Sequence, residues 1–346
     1  MKRKDIVAAC AALLVLWGAI IAGAFLWLRS ISTPKPPMGA ALTVIRGMEK
    51  RQASIHRLWG EFHLKHVFNM DPRLRARSSL PDWMQPNSCI EELAFDGRRF
   101  RDSIEYEKPL FATNTAGAVL DWGTKKDVRW SDGVTAMAVG TSVRADGSTR
   151  TSAAAYDIVE LRRTAASTTG IGFHPNDLNR AASYTFLDLE GKFLPGLDAL
   201  TYPKLLRAGE PRVAGTEVVN GVRCHVLAFK GTQREPYRIW VAPSLGFATV
   251  RTEQVRMQNE GNVRRAIAIA EMRDFANYGG LWFPSRAEWK TQVTFKDGAT
   301  FWDDRWALTV KEVHVNEPVP AKKLSLDLPR GTAVWHYPQG RQYVVP

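Results

Sequence analysis

The chain has 346 residues with 45% hydrophobic and 24% charged side chains, a balance that excludes an intrinsically disordered chain and allows one large β-rich domain or two smaller ones. Its formal charge of +12 draws a protein toward anionic partners. Nucleic acid would be such a partner in the cytoplasm, but the N-terminal residues argue against it.

Lys2-Arg3-Lys4 is followed by 23 uncharged residues, Ile6 to Leu28. As a helix this run would span roughly 35 Å, slightly more than a hydrocarbon core. Residues 1–29 therefore read as one transmembrane helix, a signal-anchor with a cytoplasmic N-terminus and a periplasmic or otherwise extracytoplasmic main domain. A cleaved signal peptide stays open as the alternative, because Ala22-Gly23-Ala24 could be cut; Phe25-Leu26-Trp27-Leu28 extends the apolar run past that point and favours the anchor. Lys2, Arg3, Lys4 and Arg29 against Asp5 account for +3 of the net charge, so the rest carries about +9, an excess suited to anionic lipid headgroups. The densest basic region, Arg73, Arg75, Arg77, Arg98, Arg99 and Arg101, reads as a solvated face.

Residues 30–38, Ser-Ile-Ser-Thr-Pro-Lys-Pro-Pro-Met, read as a short stiff linker to a domain over 39–346. About 39–58, Leu42, Ile45, Met48, Ile55 and Leu58 fit one face of a helix, with Arg46, Lys50, Arg51 and Gln52 elsewhere on it. The period then changes to two. Phe62, Leu64, His66 and Phe68 alternate with Glu61, His63, Lys65 and Val67, as in a half-buried strand.

Asp96-Gly97, Asp132-Gly133, Asp146-Gly147, Asn220-Gly221 and Asp297-Gly298 suit tight turns and predict a large antiparallel sheet. Residues 157–210 interrupt the pattern with possible short helices at 157–163, 196–200 and Pro203–Leu206, and a loop over 166–182. Strands are predicted again at 215–219, 222–230, 237–242, 248–257, 265–275, 281–294 and 300–315, with 324–334 an extended stretch closing the domain. Alternation puts Tyr237, Ile239 and Val241 on one face with Trp240 on the other; Leu281, Phe283 and Trp289 likewise oppose Trp282.

Signatures of catalysis are missing: no His-Glu-x-x-His, no phosphate loop and no Gly-x-Ser-x-Gly occur. His63 and His66 are three apart on a strand, so they face opposite ways, and adjacent Asp303 and Asp304 diverge too. No cofactor or metal site is expected. Cys89 and Cys224 could form one disulfide in an oxidising compartment, or remain free.

The leading amphipathic helix, the antiparallel meander, Tyr-Arg-Ile-Trp-Val-Ala-Pro-Ser-Leu-Gly (237–246) and Gly-Gly-Leu-Trp-Phe-Pro (279–284) together resemble the outer-membrane lipoprotein-sorting superfamily, the LolA/LolB/RseB-like group. The ending, Val-Asn-Glu-Pro-Val-Pro at 315–320 and Leu-Asp-Leu-Pro-Arg-Gly-Thr at 326–332, is also similar to that group. The resemblance implies a mainly β fold with few helices, an incomplete β-barrel whose concave apolar side is lidded by helices and accepts acyl chains. A membrane-anchored, non-catalytic binding protein for lipid, lipoprotein or another hydrophobic ligand is thus the leading expectation, with Phe62, Leu64, Trp240, Phe283 and Trp289 as ligand contacts. Its partners would be membrane lipid or lipoprotein acyl chains and bacterial-type envelope proteins. The alternatives are an envelope protein-interaction or stress-sensing module, and an unrecognised enzyme.

Overall fold

The computed structural model of the chain describes residues 39–68, 87–97, 99–106, 112–113, 119–120, 122–144, 148–157, 201–231, 235–337 and 339–346. The anchor and linker expected at 1–38 lie outside these residues, as do the loop at 166–182 and the short helix at 196–200. Among the described residues no helix is long and apolar enough to cross a membrane.

Helix α1 (Gly39–Ser54) leads into β1 (Leu58–Phe68), β2 (Asn87–Phe95), β3 (Phe100–Tyr106), β4 (Ala112–Thr113), β5 (Val119–Leu120), β6 (Trp122–Ser131), β7 (Thr135–Arg144) and β8 (Thr149–Asp157). Helix α2 (Tyr202–Ala208) opens a second run: β9 (Arg212–Val219), β10 (Val222–Lys230), β11 (Pro236–Ala242), β12 (Ala248–Glu260), β13 (Val263–Tyr278), β14 (Leu281–Phe295) and β15 (Thr300–Val315). A one-turn helix α3 (Ala321–Leu324) precedes β16 (Ala333–Tyr337) and β17 (Arg341–Val344). Turn chemistry sets the hairpins. Asn220 and Gly221, at φ 50° and 79°, join β9 to β10 in the doubly left-handed turn that matches strand twist.

Among the described residues, fifteen strands form one open sheet in the order β17-β16-β8-β7-β6-β3-β2-β1-β15-β14-β13-β12-β11-β10-β9, and β4 pairs only with β5. The chain thus begins mid-sheet and builds outward to β8. It resumes at the far edge with β9 and returns by a meander until β15 pairs with β1. The tail, expected as an extended stretch closing the domain, instead adds two strands at the β8 edge. There β16 runs parallel to β8, against the all-antiparallel expectation. The crossover carrying α3 makes this possible, since it brings the chain back to that edge in the direction in which it left β15.

On one face of the sheet, the helix face, Ala41, Val44, Ile45 and Met48 of α1 pack with Tyr202 and Leu206 of α2 on Leu227, Phe229, Ile239 and Val241 of β10 and β11. Gly47 sits where an added Cβ would come within 2.4 Å of the Phe247 ring, so close helix–sheet packing needs glycine there. The helix ends at Ser54, short of the expected 58, and Leu58 already starts β1. The Asn316 side chain explains the stop: its Nδ2 donates to the Ser54 carbonyl (2.9 Å), and its Oδ1 accepts from the His56 and Arg57 amides (2.7 and 3.3 Å). Arg51, expected off the apolar stripe, is only 6% exposed, and its guanidinium donates to the Trp282 carbonyl at 2.7 Å.

Cys89 and Cys224 are both buried and are not joined by a disulfide, the second of the two outcomes that the sequence leaves open. Seven strand positions separate β2 from β10, and the two thiols sit in clusters on opposite faces. A bridge needs Cα atoms within about 7 Å. Burial pushes the Cys224 thiol up to about 11, and the Glu217 charge adds to the rise. Peptide mapping after iodoacetamide treatment near pH 8 should therefore find Cys224 unmodified in the folded protein and alkylated once urea unfolds it.

Candidate ligand-binding face

The register of the central strands assembles one apolar surface on the helix face. Phe62 of β1 stands opposite Val310 of β15 and Glu91 of β2, and Leu64 stands opposite Leu308 and Cys89. Trp289 of β14 faces Ala270 and Trp306, and the two indoles stack with centroids 5.5 Å apart. Phe62, Leu64, Phe283 and Trp289 all belong to this cluster, joined by Phe95, Phe100, Ile104 and Met272. Tyr106, Phe275, Tyr278, Leu281, Trp306 and Val310 form its partly exposed margin.

Trp240, expected with these residues, lies on the opposite, outer face. Ile239 and Val241 point at α1, so alternation sends the indole between them outward, into a cluster with Cys224, Val226 and Val250. Its Nε1 donates to Glu217 at 2.8 Å, and the Arg251 guanidinium lies 5.1 Å from the ring centroid.

Three charged residues at the β3 end of the helix face had no part in the expected site. Glu91 is 3% exposed and Asp102 2%, and the Arg129 guanidinium, directly across from Asp102 on β6, forms an ion pair with it. The sequence carried a signal for them. Glu91 falls in the phase of Cys89, Leu93 and Phe95, and Asp102 in that of Phe100 and Ile104, so each carboxylate occupies an apolar position of its strand. The helix face is therefore amphipathic along its length, aromatic in the middle and acidic-basic at one end.

The outer face of the same strands is laced with ion pairs: Arg251 to Glu271 (2.9 Å) and Glu253 (2.5 Å), Arg273 to Glu271 (2.6 Å), and Arg305 to Glu288 (2.8 Å). At the β6–β8 end this face is apolar instead, and Val128, Met137, Val139 and Ala155 are covered by Leu326 and Leu328 after α3. His63 lies on the outer face with its Nε2 2.7 Å from Glu61. His314 stacks on Trp59 at 3.7 Å and sits between Glu312 and Glu317. Burial opposes its charged form, but the hydrogen bonds and charges of those two glutamates outweigh it and raise His314 above the ordinary histidine range.

A raised folded-state value means the contribution to stability is complete below the unfolded histidine value and fades as pH climbs through the raised one. Urea midpoints of the protein and His314→Gln should thus differ most near pH 5.5 and converge by about pH 8.5. A constant difference across that range would contradict the assignment. Among the described residues no three His, Cys, Asp or Glu side chains converge as a metal site.

No protein-family model matches the chain, and no curated protein matches it. Among solved structures it is similar to a DUF1329 family protein from Desulfovibrio piger, at 10% identity and a TM-score of 0.44, covering 84% of this chain and 98% of that one. It is similar to an outer membrane lipoprotein-sorting protein domain from Vibrio parahaemolyticus, at 8% identity and a TM-score of 0.39, covering 82% and 97%. A third similar structure is MucB in complex with MucA(peri), at 10% identity and a TM-score of 0.19, covering 83% and 96%.

Proposed function

We propose that residues 39–346 form an extracytoplasmic, non-catalytic binding domain that holds acyl chains of membrane lipid or lipoprotein against the helix face, tethered by the apolar segment at 6–28. The observation that carries this reading is the aromatic surface running from β3 to β13. Its margin of Tyr106, Tyr278, Leu281 and Trp306 stays partly exposed, while α1 and α2 pack over β10 and β11. Each methylene buried there contributes about 0.8 kcal/mol, so even half of a typical acyl chain gives several kcal/mol before the entropy of ordering it is subtracted. Wide aromatic side chains suit such a ligand because they present area at little rotamer cost.

One observation favours a second reading, an envelope protein-interaction or sensing module. Phe62 and Phe283 are already 0% and 1% exposed without a ligand, as in a core filled by its own side chains. The two readings separate by extraction. The full chain, purified from membranes in mild detergent and washed, should release acyl lipid close to one molecule per chain on solvent extraction and mass spectrometry. A chain that releases none supports the second reading and defeats the first.

A further inference from the structure

On the outer face, where β9 to β13 end beside α2, lies a groove of about 520 Å³. Strand register lines up Arg212, Ala228, Arg238 and Glu253 in a single row across β9, β10, β11 and β12. Two residues further along the same strands, Lys230 is paired with Pro236, and Val255 continues that row on β12; Arg265 of β13 also lines the groove. Paired residues share a face and so do residues two apart, so these side chains all stand on the side away from α1. Phe229 and Tyr237, stacked at 5.0 Å, also line the groove, although their side chains alternate to the helix face.

Arg212 and Arg238 flank Ala228 from the strands on either side, two strand spacings or about 10 Å apart. Between them the side chain is only a methyl group, which leaves a gap whose floor continues into Pro236 and Val255. The charges around it are unusual for this sheet. Elsewhere on the outer face arginines meet cross-strand glutamates, as Arg251 meets Glu271 and Arg305 meets Glu288. Among the described residues no carboxylate pairs with Arg212, Lys230, Arg238 or Arg265. Glu253 is held by Arg251 at 2.5 Å, and Glu210 is the other acid of the lining. Four cations against two carboxylates around an open groove leave positive charge with no counterion from the fold.

We propose that this groove is a binding site for a phosphate ester. Arginines on the strands either side of Ala228, with backbones about 10 Å apart, can bring both guanidinium forks to the oxygens of one phosphate, which accepts bidentate hydrogen bonds from each. Lys230 and Arg265 supply further charge, and the Ala228–Pro236–Val255 floor suits the carbon side of an ester. The phosphate can belong to the headgroup of an anionic phospholipid or to a soluble ester, since the recognised chemistry is the same. The site lies on the opposite face from the aromatic cluster and does not depend on the acyl-binding reading.

The test titrates the full chain in neutral detergent micelles, by calorimetry, with glycerol 1-phosphate and with phosphatidylglycerol doped into the micelles. Saturable binding is expected to weaken by at least about tenfold in Arg212→Gln/Arg238→Gln. Ala228→Glu should abolish it, because the new carboxylate fills the gap and pairs with both arginines. That variant gains ion pairs, so its urea midpoint should not fall. Binding of both probes assigns the site to the phosphate ester itself, and binding of phosphatidylglycerol alone, lost in Ala228→Glu, assigns it to a lipid headgroup. Equal affinity of wild type and both groove variants, or no saturable binding of either probe, overturns the proposal.

Discussion

Replacing Phe283 with alanine is expected to lower the unfolding free energy by about 3–5 kcal/mol, with the urea midpoint falling and the slope unchanged. The ring is 1% exposed and sits where α1 is joined to the sheet. Arg51 of that helix passes with its guanidinium carbon 5.8 Å from the ring centroid and donates to the carbonyl of the preceding residue, Trp282, at 2.7 Å. Truncation therefore removes the transferred area of a large side chain and leaves a cavity under a buried cation, two costs in the same direction. Phe283→Leu keeps most of the volume and should lose only about 1–2 kcal/mol. If alanine cost less than about 1 kcal/mol, the ring could not be packed as described.

A loss of similar size, about 3–5 kcal/mol, is expected from Arg129→Met. The Asp102 side chain is 2% exposed, and removing its partner strands a carboxylate among Leu93, Phe100 and Ile104. The double variant Arg129→Met/Asp102→Leu should recover most of that loss, because the penalty lies in the unpaired buried charge rather than in the value of the pair. An internal control lies on the same two strands. Glu105 and Lys126 also pair between β3 and β6, at 3.0 Å, but on the outer face and with side chains 57% and 41% exposed. Lys126→Met should cost no more than about 0.5 kcal/mol. Equal effects of Arg129→Met and Lys126→Met on urea midpoints would mean that burial does not distinguish the pairs.

The second meander was legible strand by strand, with bounds within three residues of those observed. Alternating β-branched and aromatic positions mark its strands, and Asn220-Gly221, Pro243–Gly246, Gly279-Gly280 and Asp297-Gly298 mark its turns. Those signals are local. The pairing of β1 with β15, which closes the two meanders into one sheet, joins Leu58 to Val315, and no local signal spans that separation. The same limit hid the parallel pairing of β16 with β8.

The apolar spacing of Ile55 and Leu58 extends α1 beyond its true end, whereas the residue that terminates it, Asn316, lies at the other end of the chain. Within the site, alternation groups Phe283 with Trp289 and opposes Trp240 to Ile239, so only aromatic character speaks for placing Trp240 with them. Its own alternation placed it outside. Glu91 and Asp102 were readable as carboxylates in apolar phase, but nothing local announces that Arg129 stands opposite Asp102.

The most direct test of the account is where an acyl chain touches the domain. The full chain in detergent, exposed to a fatty acid carrying a terminal diazirine and irradiated, should acquire label within residues 39–346 on peptides bearing Phe62 and Leu64 of β1 and on those bearing Trp289 and Trp306 of β14 and β15. Label confined to the outer-face peptides around Trp240, or absent from 39–346, would contradict it.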